Sequence, residues 1–544
     1  MKSKLSQMTL REKIGQTGIP SPSALSKALV PNGGYVSCFT KYPYSGLYIN
    51  ANTLVHDDGT PFAEPAQAER AFAAINAQLP IPLLISGDCE YGANTIYPQL
   101  HAFSTNMAMG AAGSEELAYK RGYYWAREMR SIGVNWPFSP VVDLHSNFFS
   151  TGGIRRISAD PDTAAKIGVS LIRGIQDAGV AASAKHFPGS SKDYRDTHFC
   201  NNINTKSMKE WNAKDRKVWQ AAVDAGVLTV MTSHSAVPAM DDSLTANGQP
   251  RPASASKKVI DILREDLGFQ GLVVTDAVSM KGLTAAFSHE DMYIECFNAG
   301  NDIILFCDMD YIDVMEQAVQ SGRVTMDRVD EACLRVLELK EKIGLFDNAP
   351  FVPLTEEEQN DIEKTSYEIG KKAMTLISNR GNMLPFDPKK VKSAAIINVS
   401  PDEVFRNSLE VMKEAFVSHG ITATVYDRLS NKKQLKELSE TNDIIVYAAF
   451  LAQSRPLGMS VYSRKEELHT LYHSLSFGAE KSVGVSFGAP SIYYNYFESA
   501  NAFLNAYSPD HATMRAFVDG ILGNFTFTGI SPVPLYPEFK EEDI

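Results

Sequence analysis

The feature that most limits what this chain can fold into is an alternation of short apolar runs with longer amphipathic ones, sustained from the start to about residue 345. The strand-like runs are GGYVSCF (33–39), PLLISGD (82–88), VNWPFSPVVDL (134–144), VAASAKHF (180–187), VLTVMTSH (227–234), GLVVTDA (271–277) and DIILFC (302–307). Between them lie helical patterns such as EELAYKRGYYWAREMRSIG, TAAKIGVSLIRGIQDAG and SKKVIDILREDLG, each closing on a glycine, the usual helix stop. Near-continuous apolar strands separated by helices imply a parallel sheet covered on both faces. The length predicts a (β/α)8 TIM-type barrel over residues 1–345.

A chain of 544 residues is too long for one ordinary core, so a second domain is expected. FVPLTEEEQNDIEKTS, acidic and containing a proline, reads as a linker over 346–365 that runs into a helix. Beyond it, SAAIINVS (393–400), TATVYDR (422–428), DIIVYAAF (443–450) and KSVGVSFGAP (481–490) predict a smaller, doubly wound α/β sandwich domain over 366–544.

The net charge of -12 argues against a nucleic-acid partner, because phosphate binding needs a basic stripe. No run of 18 apolar residues is present, so no membrane span is expected. The charged amino terminus lacks an apolar signal-peptide core, which points to the cytoplasm. The six cysteines are scattered without a CxxC pair, so neither a zinc ribbon nor a redox pair is signalled. Nothing implies a cofactor or a metal, and the oligomeric state is not legible.

The chemistry gathers at the ends of the strand-like runs. Asp88, Asp143, Lys185 with His186, His234 and Asp276 all stand where an apolar strand stops. In a (β/α)8 barrel those positions build the functional face. One such residue alone could be a helix cap or half of a loop salt bridge; five strands ending this way favour a shared pocket. AKHFPGSSKDYRDTHF (184–199) adds Asp196 and His198, two residues apart in a loop, where a carboxylate can orient an imidazole for proton transfer. Asp276 in GLVVTDAVSMKG either attacks an electrophile or caps the next helix, and periodicity alone does not choose.

These segments resemble glycoside hydrolase family 3, in its β-N-acetylglucosaminidase (β-hexosaminidase) branch. Lys185, His186, Phe187, Pro188, Gly189, Asp196 and His198 match the branch pattern K-H-F-P-G-x-G-x4-D-x-H in spacing, and Gly271 to Met280 match the run that carries the family nucleophile. SGDCEYG and GGIRRISADP resemble the motifs that supply a substrate-binding aspartate and a sugar-binding arginine. The resemblance therefore implies Asp276 as nucleophile, His198 with Asp196 as acid/base pair, and Asp88, Arg155, Lys185 and His186 as substrate-binding residues. Ser190 and Ser191 depart from the pattern where its second glycine belongs, and Tyr91 stands in place of another.

The activity implied is a retaining, exo-acting β-N-acetylglucosaminidase that works through a covalent glycosyl-aspartate on a small carbohydrate substrate. A neutral histidine base repels an anion less than a carboxylate does, so phosphate is a conceivable acceptor in place of water. The alternatives are a family 3 β-glucosidase or β-xylosidase taking its acid from the second domain, with Glu466 or Glu467 as candidates, and a non-catalytic sugar-binding protein.

Overall fold

The computed structural model describes residues 1–50, 52–94, 96–148, 152–193, 195–347, 351–429, 431–451 and 465–536. Glu466 and Glu467 fall outside the residues whose side chains are described. The chain forms two compact units that interleave in sequence. The first comprises Met1–His101, Gly122–Asp143 and Gly168–Glu356; the second comprises Ala102–Arg121, Leu144–Ile167 and Glu357–Ile544.

The first unit carries strands β1 (Gly18–Pro20), β2 (Gly46–Tyr48), β3 (Leu84–Gly87), β4 (Trp136–Pro137), β5 (Ser183–Phe187), β6 (Thr229–Thr232), β7 (Leu272–Thr275) and β8 (Ile304–Cys307). They pair in three pieces, β1 with β8, β2–β3–β4 and β5–β6–β7, and every pairing is parallel. Hydrogen bonds run between the pieces as well. The Ser45 amide donates to the Gly18 carbonyl at 3.1 Å, Val142 to Lys185 at 3.0 Å and Thr275 to Ile303 at 3.1 Å. Ile19, Leu84, Trp136, Met231, Leu272, Val274 and Leu305 from these strands share one buried cluster with Val336 and Leu339 of the helix Met326–Lys342.

The run GGYVSCF, expected as a strand, is instead part of the helix Tyr35–Lys41. A short apolar run suits either state by periodicity, and a contact distant in sequence decides: the Tyr35 amide is held by the Asp57 carboxylate at 2.9 Å. The strands on either side, β1 and β2, are three residues each and contain Gly or Pro, which hides them from pattern reading. The helix Glu356–Ala373 begins inside the stretch read as linker.

In the second unit, β9 (Thr375–Asn379), β10 (Ser393–Asn398), β11 (Thr422–Tyr426), β12 (Ile444–Ala449), β13 (Ser482–Ser486) and β14 (Ala502–Asn505) form one sheet. Their order is β11-β10-β12-β13-β14-β9, parallel except for β9 against β14. Ile396, Val446 and Leu504 pack with Leu409, Phe416 and Phe517 on one face; Ile397, Tyr447 and Phe503 pack with Leu435 and Leu438 on the other. Successive residues thus feed opposite cores, the period-two rule of a sheet buried on both sides. Thr105 donates to the Tyr507 carbonyl and Ser158 to the Pro532 carbonyl, tying the two early segments into this unit. Among the described residues no helix is long and apolar enough to cross a membrane.

One buried charge in the first unit generates a prediction. Lys340 is wholly buried, and its ammonium donates to Gln16 Oε1 at 2.6 Å. Burial pushes its pKa down to about 7, against roughly 10.4 in an unfolded chain. Between those values the unfolded state holds a proton that the folded state has released, so stability rises with pH across that window. Urea unfolding should therefore show the wild type gaining, relative to Lys340→Met, on the order of a few kcal/mol from pH 7 to 10. A pH-independent difference between the two would refute the assignment.

Candidate active site

Parallel pairing sends the carboxyl ends of all the first unit's strands to one side, and that side gathers the ionisable residues. Asp88 directly follows β3, Lys185 and His186 lie in β5, His234 comes two residues after β6, and Asp276 directly follows β7. Within β5 the ladder slips between Lys185 and Phe187. A bulge of this kind re-aims a side chain, and both Lys185 and His186 reach the same cluster although neighbours on a regular strand point apart.

Lys185 is almost wholly buried, with Nζ 2.6 Å from Asp88 Oδ1 and 2.8 Å from Glu90 Oε1. The Tyr48 hydroxyl donates to the other Asp88 oxygen at 2.8 Å. Tyr48 is itself wedged against Phe138 and Phe306, with ring centroids 6.1 and 4.9 Å away. Half of the Asp88 side chain remains exposed, which leaves it an acceptor facing solvent. Glu90 was not singled out from the sequence, although it sits in SGDCEYG two residues from Asp88; its burial against Lys185 marks it as part of the site.

His186 is fixed by Asp143, whose carboxylate accepts from the His186 amide at 3.1 Å and pairs with Nδ1 at 2.8 Å. Nε2 is thereby turned to Asp276, 3.9 Å from Oδ2, too far for a hydrogen bond and close enough for a strong field. His234 makes two bonds, Nδ1 to the Ser254 hydroxyl at 2.7 Å and Nε2 to the Ala277 carbonyl at 3.0 Å. The carbonyl requires a donor at Nε2, so Nδ1 accepts; burial lowers the pKa of this imidazole and keeps it neutral.

Asp276 is oriented by its neighbours: its amide donates to the Thr232 carbonyl at 3.0 Å, and Oδ1 accepts from the Ala277 amide at 2.7 Å. Burial acts to raise its pKa, but the imidazoles of His186 and His234 and the Ala277 amide outweigh it and hold the carboxyl below the ordinary 3.8. Of these the His186 imidazole contributes most. Asp276 is consequently an ionised, half-buried carboxylate, the state a nucleophile needs.

Asp196 and His198 meet as the spacing predicts. Asp196 Oδ1 lies 2.6 Å from His198 Nδ1 and also accepts from the His198 amide at 2.9 Å. The pair rides on a loop whose root is clamped. Trp211 Nε1 donates to the Pro188 carbonyl at 2.7 Å, and Gly189, at φ 118°, passes so near Asp215 that a Cβ would stand 2.6 Å from its carboxylate. Asp215 is anchored by Lys206, also buried, at 2.8 Å. The serines that replace the pattern's second glycine fit without strain: neither Ser190 nor Ser191 takes a positive φ. The Ser191 hydroxyl donates to the Ile203 carbonyl and accepts from the Asp193 amide, stapling the loop across its width.

Of the seven residues expected from the sequence, Asp88, Lys185, His186, Asp196, His198 and Asp276 lie in the first unit on these contacts. Arg155 belongs to the second unit, on the short turn Gly153–Arg155, where its carbonyl accepts from Asn106. Among the described residues no three His, Cys, Asp or Glu side chains are grouped to hold a metal ion.

Known proteins resemble this chain over nearly its whole length. A protein from Cellulomonas fimi named beta-N-acetylglucosaminidase/beta-glucosidase is 28% identical over 540 residues, covering 92% of this chain and 93% of its own. The solved structure of a glycoside hydrolase family 3 beta-N-acetylglucosaminidase from Paenibacillus sp. str. FPU-7 superposes with a TM-score of 0.79 at 24% identity, over 98% of this chain and all of that one. A beta-glucoside phosphorylase superposes with a TM-score of 0.82 at 22% identity, over 98% and 95% of the two chains. At such identities the superpositions speak for the fold alone. The sequence model of the glycosyl hydrolase family 3 N-terminal domain matches residues 9–339, well over half the chain; the chain belongs to that family and is a glycoside hydrolase.

Proposed function

We propose that the protein is a retaining, exo-acting β-N-acetylglucosaminidase with Asp276 as nucleophile and His198 as acid/base. The observation that carries this reading is the Asp196–His198 pair at 2.6 Å, set on a loop whose backbone is bonded to the turn just after Asp276. Asp276 attacks the anomeric carbon while protonated His198 gives its Nε2 proton to the departing oxygen. The same nitrogen then takes a proton from water, whose oxygen attacks the anomeric carbon and releases Asp276. Asp196 keeps a proton on Nδ1 and stabilises the imidazolium, as the carboxylate of a serine-hydrolase triad does. Asp88, Lys185 and His186 bind hydroxyls of the terminal sugar on this reading, through the half-exposed Asp88 carboxylate and the Lys185 and His186 donors beside it.

The fold reading behind this is a closed (β/α)8 barrel. Its support is the pairing of β1 with β8 and the hydrogen bonds that join the three sheet pieces. A β-glucosidase is the second reading, favoured by the double name of the Cellulomonas fimi relative.

Release of 4-nitrophenol from the β-N-acetylglucosaminide and the β-glucoside, each with and without phosphate, separates these readings. The N-acetyl substrate is expected to be cleaved preferentially, with His198→Ala and Asp196→Ala each losing about 10²-fold or more. Glucoside cleavage that survives His198→Ala would refute the dyad and turn the search to another acid. Phosphate stimulation with a sugar 1-phosphate product would identify a phosphorylase.

The field on Asp276 sets the acid limb of the pH profile. Removing the His186 imidazole lets burial raise the Asp276 pKa, so the carboxylate protonates at higher pH. The acid limb of kcat/KM for His186→Gln should shift to higher pH than that of the wild type. An unshifted limb, measured beside an unshifted thermal midpoint, would show that His186 is not the source of that field.

A further inference from the structure

We propose that Gly282 is a positioning residue for the acid/base loop: the turn after Asp276 is a dock on which the Asp196–His198 loop seats, and a side chain at 282 would press the loop off that seat. The inference rests on the reading of His198 as acid/base. Two backbone hydrogen bonds make the dock. The Gly282 amide donates to the Thr197 carbonyl at 2.8 Å, and the Lys281 amide donates to the His198 carbonyl at 3.3 Å. Lys281 and Gly282 open the four-residue helix Lys281–Thr284, and amides there have no partner within their own helix. The catalytic loop satisfies both.

Gly282 does not take a positive φ, so backbone conformation does not demand a glycine. Space does. A Cβ at 282 would stand 3.2 Å from the Thr197 carbonyl oxygen, 3.3 Å from His234 Cβ and 3.4 Å from the Cys200 carbonyl oxygen. His234 cannot retreat, because Ser254 and Ala277 hold its ring at both nitrogens. The loop is therefore the side that must give, and it carries His198. The single segment from Asp276 to Gly282 holds the nucleophile at one end and the seat of the proton donor at the other. That fixes their separation through a few rigid covalent steps. A proton donor must sit within about 3 Å of the glycosidic oxygen, so even the displacement of a few tenths of an ångström that a Cβ at 282 imposes weakens proton transfer.

Two variants test the dock. Gly282→Ala crowds the seat. Lys281→Pro deletes the donor to His198 and sets the ring Cδ in place of the amide hydrogen against the same carbonyl, so it unseats the loop from the other bond of the dock; residue 281 is the first of its helix, and Met280 before it is extended at φ -70° and ψ 143°, which a residue preceding proline accepts. Each variant, the wild type and His198→Ala would be assayed on a series of aryl glycosides of the cleaved sugar, from 2,4-dinitrophenyl to 4-methoxyphenyl. A good leaving group needs little protonation and a poor one depends on it. Both dock variants are expected to lose about tenfold or more on the 4-methoxyphenyl substrate and less than about twofold on the dinitrophenyl one. A loss that is uniform along the series, or no loss, overturns the proposal while a steep response in His198→Ala keeps the dyad. A flat response in His198→Ala overturns the dyad and the dock together. If Gly282→Ala does not fold, Lys281→Pro alone decides between these outcomes.

Discussion

Parallel hydrogen bonding between very short strands is the constraint on which the rest of the first unit depends. Each strand contributes few ladder bonds, yet because all the pairings run the same way, every strand delivers its last residue to the same side. Asp88, the Lys185–His186 pair, His234 and Asp276 come from strands far apart in sequence and meet only for that reason. The slip within β5 allows two adjacent residues to serve the cluster instead of one.

The charges within the cluster are arranged so that the candidate nucleophile is ionised without being neutralised by a close partner. Lys185 is spent on Asp88 and Glu90, and the His186 Nδ1 on Asp143, all at 2.6–2.8 Å. The His198 Nδ1 is held by Asp196 at 2.6 Å, and His234 is held neutral between a hydroxyl and a carbonyl. Asp276 faces the His186 Nε2 across 3.9 Å. A contact salt bridge would lower its pKa further but would tie up the oxygen that has to react; the gap keeps the field and leaves the lone pair free.

The second unit follows a simpler rule. Its strands read as continuous apolar runs because both faces are covered by helices, and alternate side chains divide between two cores. Of the two strands that escaped sequence reading, β14 (AFLN) carries no β-branched residue, while β9 (TLISN) carries as many as β10. The antiparallel pairing that joins them depends on residues more than a hundred positions apart, which no local pattern encodes.

The sequence by itself determined the alternation of strands and helices, the parallel character of the sheets, and which residues to bring forward as a candidate site. Strand ends and the D-x-H spacing are local patterns, so Asp88, Lys185, His186, Asp196, His198 and Asp276 could be named from it. Tertiary structure decided what local patterns leave open. It made a helix of Tyr35–Lys41 through a carboxylate supplied by Asp57, and it brought Glu90 onto Lys185. It assigned the segment carrying Arg155 to the second unit, and it gave Gly282 its purpose through the nearness of Thr197, His234 and Cys200. In each case the deciding partner lies far along the chain, and a contact of that kind exists only once the chain has folded.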